Sequence, residues 1–181
     1  MSSNKAAYLM ARLTSKGMQA GMIFGGIPEL TRTDIAAACS GLEPLHMHLI
    51  MAKYCDDIHS ALAALNEIQE LMCDKSRFWA DCDADIRYKI GLAMIQEFVS
   101  ATRCRSCKGT GSKTVDSKID DCKACGGSGN ADKSAASRAR LSGIPETTYR
   151  KYGLNDPFTD IMRYLDDIEL RSLERIARKA S

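Results

Sequence analysis

The feature that most constrains this chain is a pair of cysteine motifs between Cys104 and Asn130. The segment reads CRSCKGTGSKTVDSKIDDCKACGGSGN, and each CxxC motif continues into a glycine-containing turn, CKGTG or CGGSG. A gap of two residues lets a tight turn direct both thiolates at one metal ion, and a second pair completes a tetrahedral site. The spacing therefore predicts one structural Zn²⁺ ion with four ligands, Cys104, Cys107, Cys122 and Cys125.

Two other arrangements of these cysteines stay open from the residues alone, namely two disulfides or four unrelated buried thiols. A segment this polar cannot order itself by apolar burial, whereas metal binding supplies folding energy. Four protein ligands would close the coordination sphere and leave no position for an activated water molecule, so we expect a structural ion and not a catalytic one. The other cysteines are predicted to be reduced helix or core residues: Cys39, Cys55, Cys73 and Cys82.

The distribution of charge along the chain separates the cysteine-rich part from its flanks. Residues 1–100 carry 9 Lys or Arg against 12 Asp or Glu, and residues 101–153 carry 11 against 5. A basic region that coincides with a metal module is typical of a nucleic-acid surface, although a solvated charged face has the same composition. The sequence has no continuous apolar run of the length of a signal peptide or a membrane span. We therefore expect a cytoplasmic protein that does not interact with membranes.

Helical periodicity dominates the rest of the sequence. Apolar residues recur at helical spacing in two stretches before the cysteines: Leu62, Leu65, Ile68 and Met72, then Ile86, Ile90, Met94 and Val99. A third such stretch closes the chain: Phe158, Ile161, Leu165, Ile168, Leu173 and Ile176. Shorter helices are predicted over residues 6–16 and from an N-cap at Thr33. Trp79, which lies between these stretches, is predicted to pack in the core or a loop.

The segment 135–154, which reads AASRARLSGIPETTYRKYGL, has the pattern of a helix-turn-helix. Such a unit needs a small residue where the helices cross, a glycine in the turn and an apolar residue in the second helix, and Ala139, Gly143 and Tyr149 occupy these positions. The start of the second helix would reach base edges, and basic groups around it would contact phosphates. The candidate DNA-binding residues are Arg138, Arg140, Glu146, Thr147, Arg150 and Lys151.

These patterns predict a mainly α fold in three segments. A helical bundle occupies residues 1–100, a four-cysteine zinc knuckle module is inserted at 101–133, and a helix-turn-helix-like part with a final helix occupies 134–181. The three histidines, His46, His48 and His59, have no acid or nucleophile in a catalytic pattern, so we read them as structural residues. The chain is not predicted to be an enzyme.

The order of these segments resembles the Q-type late-gene antitermination proteins of lambdoid bacteriophages. The resemblance covers most of the chain and is most specific at CRSCKGTG and CKACGGSG with the adjoining helices. It implies a zinc-containing protein of the bacterial host cytoplasm that binds double-stranded DNA at the phage late promoter. It also implies that the protein engages paused host RNA polymerase holoenzyme, which then reads through terminators and transcribes the late genes.

Two other functions are kept as alternatives. The repeat CxxCxGxG also resembles the zinc knuckles of DnaJ-type chaperones, which support the binding of unfolded polypeptide. That family normally has four such repeats and an HPD tripeptide, whereas this chain has two repeats and no HPD. The second alternative is a simple helix-turn-helix repressor or activator that does not travel with polymerase.

Overall fold

A computed structural model describes residues 37, 39–100, 104–108, 110–115, 118–127, 129–131 and 133–179. This part of the chain contains seven helices and one two-stranded antiparallel hairpin. The helices are α1 (Pro44–Tyr54), α2 (Ile58–Lys75), α3 (Arg77–Ala80), α4 (Ala84–Val99), α5 (Ala135–Ser142), α6 (Glu146–Lys151) and α7 (Asn155–Lys179), and the strands are β1 (Ser112–Val115) and β2 (Lys118–Asp121). The prediction of a mainly helical protein is confirmed. The helices predicted at 6–16 and from Thr33 lie outside the described residues.

By internal packing the chain divides into two compact units. One contains the described residues up to 67 together with 168–179, and the other contains the described residues of 68–167. Helices α2 and α7 contribute to both units. The division into three consecutive segments stays a prediction. Among the described helices, none combines the length and the apolar character that crossing a membrane requires.

The first unit is built on the contact between α1 and the last turns of α7. One buried cluster of this unit consists of Cys39, Ile50, Leu173, Ile176 and Ala177. Helix α1 begins at Pro44. Proline suits this position because its fixed φ fits the first turn and it has no N–H to leave unpaired.

One carboxylate, Glu169, is buried in the first unit and is paired there. It accepts hydrogen bonds from Lys53 Nζ at 2.6 Å and from the Tyr54 hydroxyl. Burial raises the pKa of Tyr54 above its usual range, and the negative charge of Glu169 adds to this effect. The pair joins α1 to α7 by a polar contact inside an apolar core, which favours one arrangement of these helices over others.

The second unit buries the apolar faces of α2 and α4. Ile68, Met72, Ile90 and Met94 are fully buried, as predicted from their spacing. Trp79 is also buried, which confirms its assignment to packing. Helix α4 begins after Asp83, whose carboxylate accepts hydrogen bonds from the backbone N–H groups of residues 85 and 86.

The predicted apolar stripes differ from the observed core at a few positions. Leu62 is half exposed and does not belong to the core of α2, and Ile86 and Val99 are only partly buried. Phe98, which the predicted stripe omits, is fully buried in α4. All six apolar positions predicted for the final helix are buried. That helix begins at Asn155, three residues before the first of these apolar positions.

Candidate metal centre and helix-turn-helix segment

The hairpin β1–β2 brings the two cysteine motifs together. Its register pairs Ser112 with Asp121. Strand β2 therefore ends directly before Cys122, and β1 begins just after the glycine turn that follows Cys107. Below the hairpin, the Cys122 N–H donates to the Gly111 carbonyl at 2.8 Å, and the Cys104 N–H donates to the Gly129 carbonyl at 2.8 Å. Each of these two backbone hydrogen bonds joins a cysteine of one motif to the glycine turn of the other motif. The loop between the motifs therefore closes into a small, well-connected module.

The four predicted cysteines form a single cluster. Their sulfur atoms all lie within 4.8 Å of one another. Three of the side chains are buried and Cys125 is partly buried. The Cys107 and Cys125 sulfurs are 3.8 Å apart, which is the edge of about 3.8 Å expected for a tetrahedron with Zn–S bonds of about 2.3 Å. A disulfide would need an S–S separation of about 2.05 Å, and none of the four cysteines is disulfide-bonded. The disulfide alternative is therefore excluded.

Backbone N–H groups are directed at two of the sulfurs in the same way. The Gly111 N–H donates to Cys107 Sγ at 3.3 Å, and the Gly129 N–H donates to Cys125 Sγ at 3.3 Å. Each donor lies four residues after its cysteine, so the two motifs repeat one local structure. Hydrogen bonds of this kind stabilise a thiolate and so suit a site that holds deprotonated cysteines around a cation.

Glycine is required at Gly111 by both space and backbone conformation. Its φ is +75°, and a Cβ atom there would lie 2.2 Å from the Gly127 carbonyl oxygen. The two glycine turns therefore approach each other more closely than side chains allow. The donor set, the spacing of the sulfurs and this close approach fit a closed four-coordinate metal ion.

The cysteines outside the cluster behave as ordinary thiols. Burial raises the pKa values of Cys39 and Cys82, and it raises the pKa of Cys55 to about 11. A thiol with a raised pKa keeps its proton at neutral pH and is a poor nucleophile or metal ligand. None of these four cysteines is disulfide-bonded, in agreement with the predicted reduced state.

Helices α5 and α6 and the turn between them have the predicted geometry. The Ser134 side chain caps α5 by accepting a hydrogen bond from the Ser137 N–H, and Gly143 ends the helix in the left-handed conformation at φ 66°. Ala139 and Tyr149, the predicted contacts between the two helices, are both buried. The prediction that Ala139 and Tyr149 face the interior is confirmed.

Five of the six candidate DNA-binding residues lie on the surface. Arg140, Glu146, Thr147, Arg150 and Lys151 are all exposed. Arg150 Nη2 and Glu146 Oε1 are 2.7 Å apart and form an exposed ion pair along α6. These side chains are accessible to a partner, and their role in binding DNA stays a prediction.

The assignment of Arg138 to a DNA phosphate is corrected by the structure. Its side chain is 2% exposed and forms a two-point ion pair with Glu97, with Nε–Oε2 at 3.2 Å and Nη2–Oε1 at 3.0 Å. Nη1 also donates to Thr159 Oγ1 at 2.7 Å, and the guanidinium carbon lies 4.5 Å from the centre of the Phe158 ring. Arg138 therefore joins α4, α5 and α7 inside the protein and is not available to a phosphate.

Glu97 is the important residue that the sequence pattern did not reveal. It is the only acidic side chain in the apolar run AMIQEFV of α4, and it is 5% exposed. A carboxylate on a buried helix face needs a cationic partner. The sequence alone could therefore have predicted that Glu97 has a buried cationic partner, but not which Lys or Arg that partner is.

The Tyr149 hydroxyl provides a test of the packing between α5 and α6. It is buried and has no hydrogen-bond partner among the described residues. Burial raises the pKa of Tyr149 to about 12. The folded-state pKa lies above the unfolded value of about 10. The free energy of unfolding is therefore unaffected by this phenol below about pH 10 and falls between about pH 10 and 12, where the unfolded state ionises first.

We expect Tyr149→Phe to stabilise the protein by about 1 kcal/mol near neutral pH, because it removes an unsatisfied buried hydroxyl. The variant should also lose less stability in alkali, because at about pH 11 the unfolded wild-type phenol is ionised while the buried one stays protonated, which lowers the free energy of unfolding by about 1–1.5 kcal/mol. Urea unfolding at about pH 8 and about pH 11 measures both effects. Tyr152→Phe is the matched control, because Tyr152 is 54% exposed and should show neither effect. Equal responses from the two variants would contradict this account.

Comparison of the chain with models of protein families, with curated proteins and with solved structures finds no match.

Proposed function

We propose that this protein is a zinc-dependent DNA-binding transcription factor of the antitermination type. In this proposal it binds double-stranded DNA at a phage late promoter and modifies paused host RNA polymerase so that transcription passes terminators. The observation that carries the proposal is the combination of a four-thiol cluster with an adjacent α5–turn–α6 unit whose second helix buries Tyr149 and exposes polar and basic residues.

The metal in this proposal is Zn²⁺, bound by Cys104, Cys107, Cys122 and Cys125. Four sulfur donors in a tetrahedral arrangement suit zinc or an iron–sulfur centre, and the sulfur spacing described above suits a single ion. The ion would supply folding energy to a module that has few apolar side chains of its own. No chemical step is assigned to it, because four protein ligands leave no open coordination position.

The proposed DNA contacts divide into two kinds. Glu146 and Thr147 lie at the start of α6, where side chains reach base edges in the major groove. Arg140, Arg150 and Lys151 are exposed cations that suit phosphates. Because Glu146 pairs with Arg150 in the free protein, binding to DNA would exchange this ion pair for contacts with the nucleic acid.

Substitutions in this segment separate the two kinds of contact. Arg140→Ala and Lys151→Ala should weaken binding to every duplex by a similar factor and lower the salt dependence of log K by about 1 each. Thr147→Ala should instead change which duplex is preferred. Fluorescence anisotropy with a late-promoter duplex and a random duplex measures both quantities, with Lys89→Ala in α4 as a control for lost charge. Equal losses on both duplexes for all variants would contradict the assignment of α6 as the recognition helix.

Transcription in vitro from a late promoter, past a terminator, tests the function itself. We expect the zinc-loaded protein to increase readthrough on a template that carries its own promoter and not on a control promoter. A simple repressor or activator would change the amount of transcript without readthrough. A DnaJ-like protein would leave transcription unchanged and would suppress the aggregation of unfolded polypeptide. Either of these results would contradict the proposal.

The helices outside the basic region are proposed to support contact with RNA polymerase. Glu70 of α2 and Glu174 of α7 are exposed acidic residues on these helices. We expect Glu70→Lys or Glu174→Lys to lower readthrough while the affinity for DNA stays within about twofold of wild type. Normal readthrough by every charge variant that folds and binds DNA would mean that these helices only bury apolar surface.

A further inference from the structure

A cavity of about 150 Å³ lies beside the metal cluster. Its walls are formed by the second cysteine turn from Lys123 to Gly126, by Asn130 and Lys133 just after it, and by one face of α7 that includes Thr159 and Arg163. The buried pair of Arg138 and Glu97 closes one side. All of these residues belong to the second unit of the chain.

The charges around this cavity favour an anion. Its described lining contains the cations Lys123, Lys133, Arg138 and Arg163 and the carboxylates Glu97 and Asp166. Arg138 and Glu97 neutralise each other, and Asp166 accepts a hydrogen bond from the Asn130 amide at 3.0 Å.

Three cations are left to act on an occupant of the cavity. Neither Lys123 nor Lys133 forms an ion pair with a carboxylate in the described part of the chain, and Arg163 has only an exposed contact of 3.6 Å with Asp160. With the Arg138–Glu97 pair set aside, the described lining has three cations against one carboxylate, Asp166, and therefore a surplus of positive charge.

The size of the cavity restricts the ligand. Pockets that enclose a whole small molecule are typically about 300–1,000 Å³, so 150 Å³ suits a single group and not a complete nucleotide. Lysine and arginine side chains around an opening of this size are suited to a phosphate group. A phosphate that belongs to a longer chain could enter the cavity while the rest of the molecule stays outside.

We propose that this cavity, between the second cysteine turn and α7, is a phosphate-binding site in which Lys123, Lys133 and Arg163 hold one phosphodiester of the DNA backbone. The proposal rests on the proposed function for the source of the phosphate, and free phosphate is the other source of the same chemistry. Because Cys125 and its neighbours form one wall, the site requires the folded metal module. It would fix the position of DNA at the zinc module independently of the base contacts made by α6.

The double variant Lys123→Gln with Lys133→Gln tests the proposal in the full-length, zinc-loaded protein. Each phosphate contributes about 0.9·log(1/[salt]) to log K, so the loss of one contact should weaken binding to a random duplex about tenfold at about 0.1 M salt and lower the salt slope by about 1. Lys89 is a partly exposed lysine in α4 that does not line the cavity. Lys89→Gln is therefore the control and should change affinity less than about twofold. If wild type binds DNA and the double variant binds equally well, the phosphate site is wrong and the proposed function stands.

Inorganic phosphate distinguishes the two sources. We expect titration with phosphate to shift the amide NMR signals of Gly126 and Ala131 in wild type and not in the double variant. If wild type binds no duplex but shows these shifts, the proposed function fails and the site binds phosphate from a small molecule. The absence of both DNA binding and amide shifts overturns the site as well.

The alternative role of the lysines is to balance the negative charge of four thiolates. In that case the double variant would lose zinc, and the decisive variant is Arg163→Gln, which changes α7 and leaves the cysteine turns intact. Weaker binding of the duplex and of phosphate by Arg163→Gln, with one zinc per chain retained, supports the phosphate site. Unchanged binding of both ligands overturns it.

Discussion

Cys104→Ser or Cys122→Ser is expected to release the metal ion and unfold the module from 104 to 131. The sulfurs of both residues are buried in the cluster, so their replacement leaves three ligands and an open site. Structural zinc binding contributes about 10–16 kcal/mol of apparent free energy near neutral pH, and a small polar module has little else to hold it together. Metal analysis should find much less than one zinc per chain, and the amide signals of β1 and β2 should collapse toward unfolded positions.

The helices before the module should largely survive this change. The buried residues of α1 and the last turns of α7 form their own core, which contains no metal ligand. Far-UV circular dichroism should therefore retain much of its helical signal. Cys73→Ser is the matched control, because Cys73 is a partly buried free thiol of α2 outside the cluster and should leave the metal content unchanged. A reduced wild-type protein that contains no zinc would sink the metal assignment.

The second large effect is expected from breaking the buried ion pair between Glu97 and Arg138. Arg138→Met leaves Glu97 buried without its cation, and we expect a loss of about 3–5 kcal/mol in the free energy of unfolding. Glu97→Gln should be similarly destabilising. The guanidinium of Arg138 would stay buried, at 2% exposure, but would lose the carboxylate that accepts two of its hydrogen bonds. Urea unfolding with comparison of both the midpoint and the slope measures these losses.

Two controls separate a buried pair from a general effect of charge. The double variant Glu97→Leu with Arg138→Met removes both charges together and should recover much of the lost stability, since apolar replacements of buried pairs are often neutral. Lys89→Ala removes one member of an exposed pair with Asp85 and should cost about 0.5 kcal/mol or less. A loss below about 1 kcal/mol in both single variants would show that the pair does not hold α4, α5 and α7 together.

This pair also changes how DNA-binding data should be interpreted. Arg138 lies two residues before Arg140 and has the same charge, so the sequence assigns both to phosphates. In the structure Arg138 is buried and Arg140 is exposed. A loss of DNA binding in an Arg138 variant would therefore report unfolding, whereas the same loss in an Arg140 variant would report a missing contact. Measuring stability beside affinity distinguishes the two causes.

The features that the sequence determined by itself are those set by neighbours along the chain. Two residues between cysteines are enough to direct their sulfurs at one point, so the four-cysteine cluster could be predicted without knowledge of the fold. Gly143 and Tyr149 were predictable for the same reason, because a left-handed turn residue and the inward face of a short helix are local properties. The same holds for the apolar face of α7, where periodicity alone identified the buried positions.

The tertiary structure decided which polar residues serve the interior and which face solvent. Glu97 and Arg138 are 41 residues apart in the chain, and no local pattern pairs them. Leu62 continues a helical stripe in the sequence yet is half exposed, because periodicity identifies a face of a helix and not where the neighbouring elements end. The cavity beside Cys125 likewise exists only where α7 meets the cysteine turn. Burial and ion pairing depend on contacts between distant segments, and those contacts arise only when the whole chain is packed.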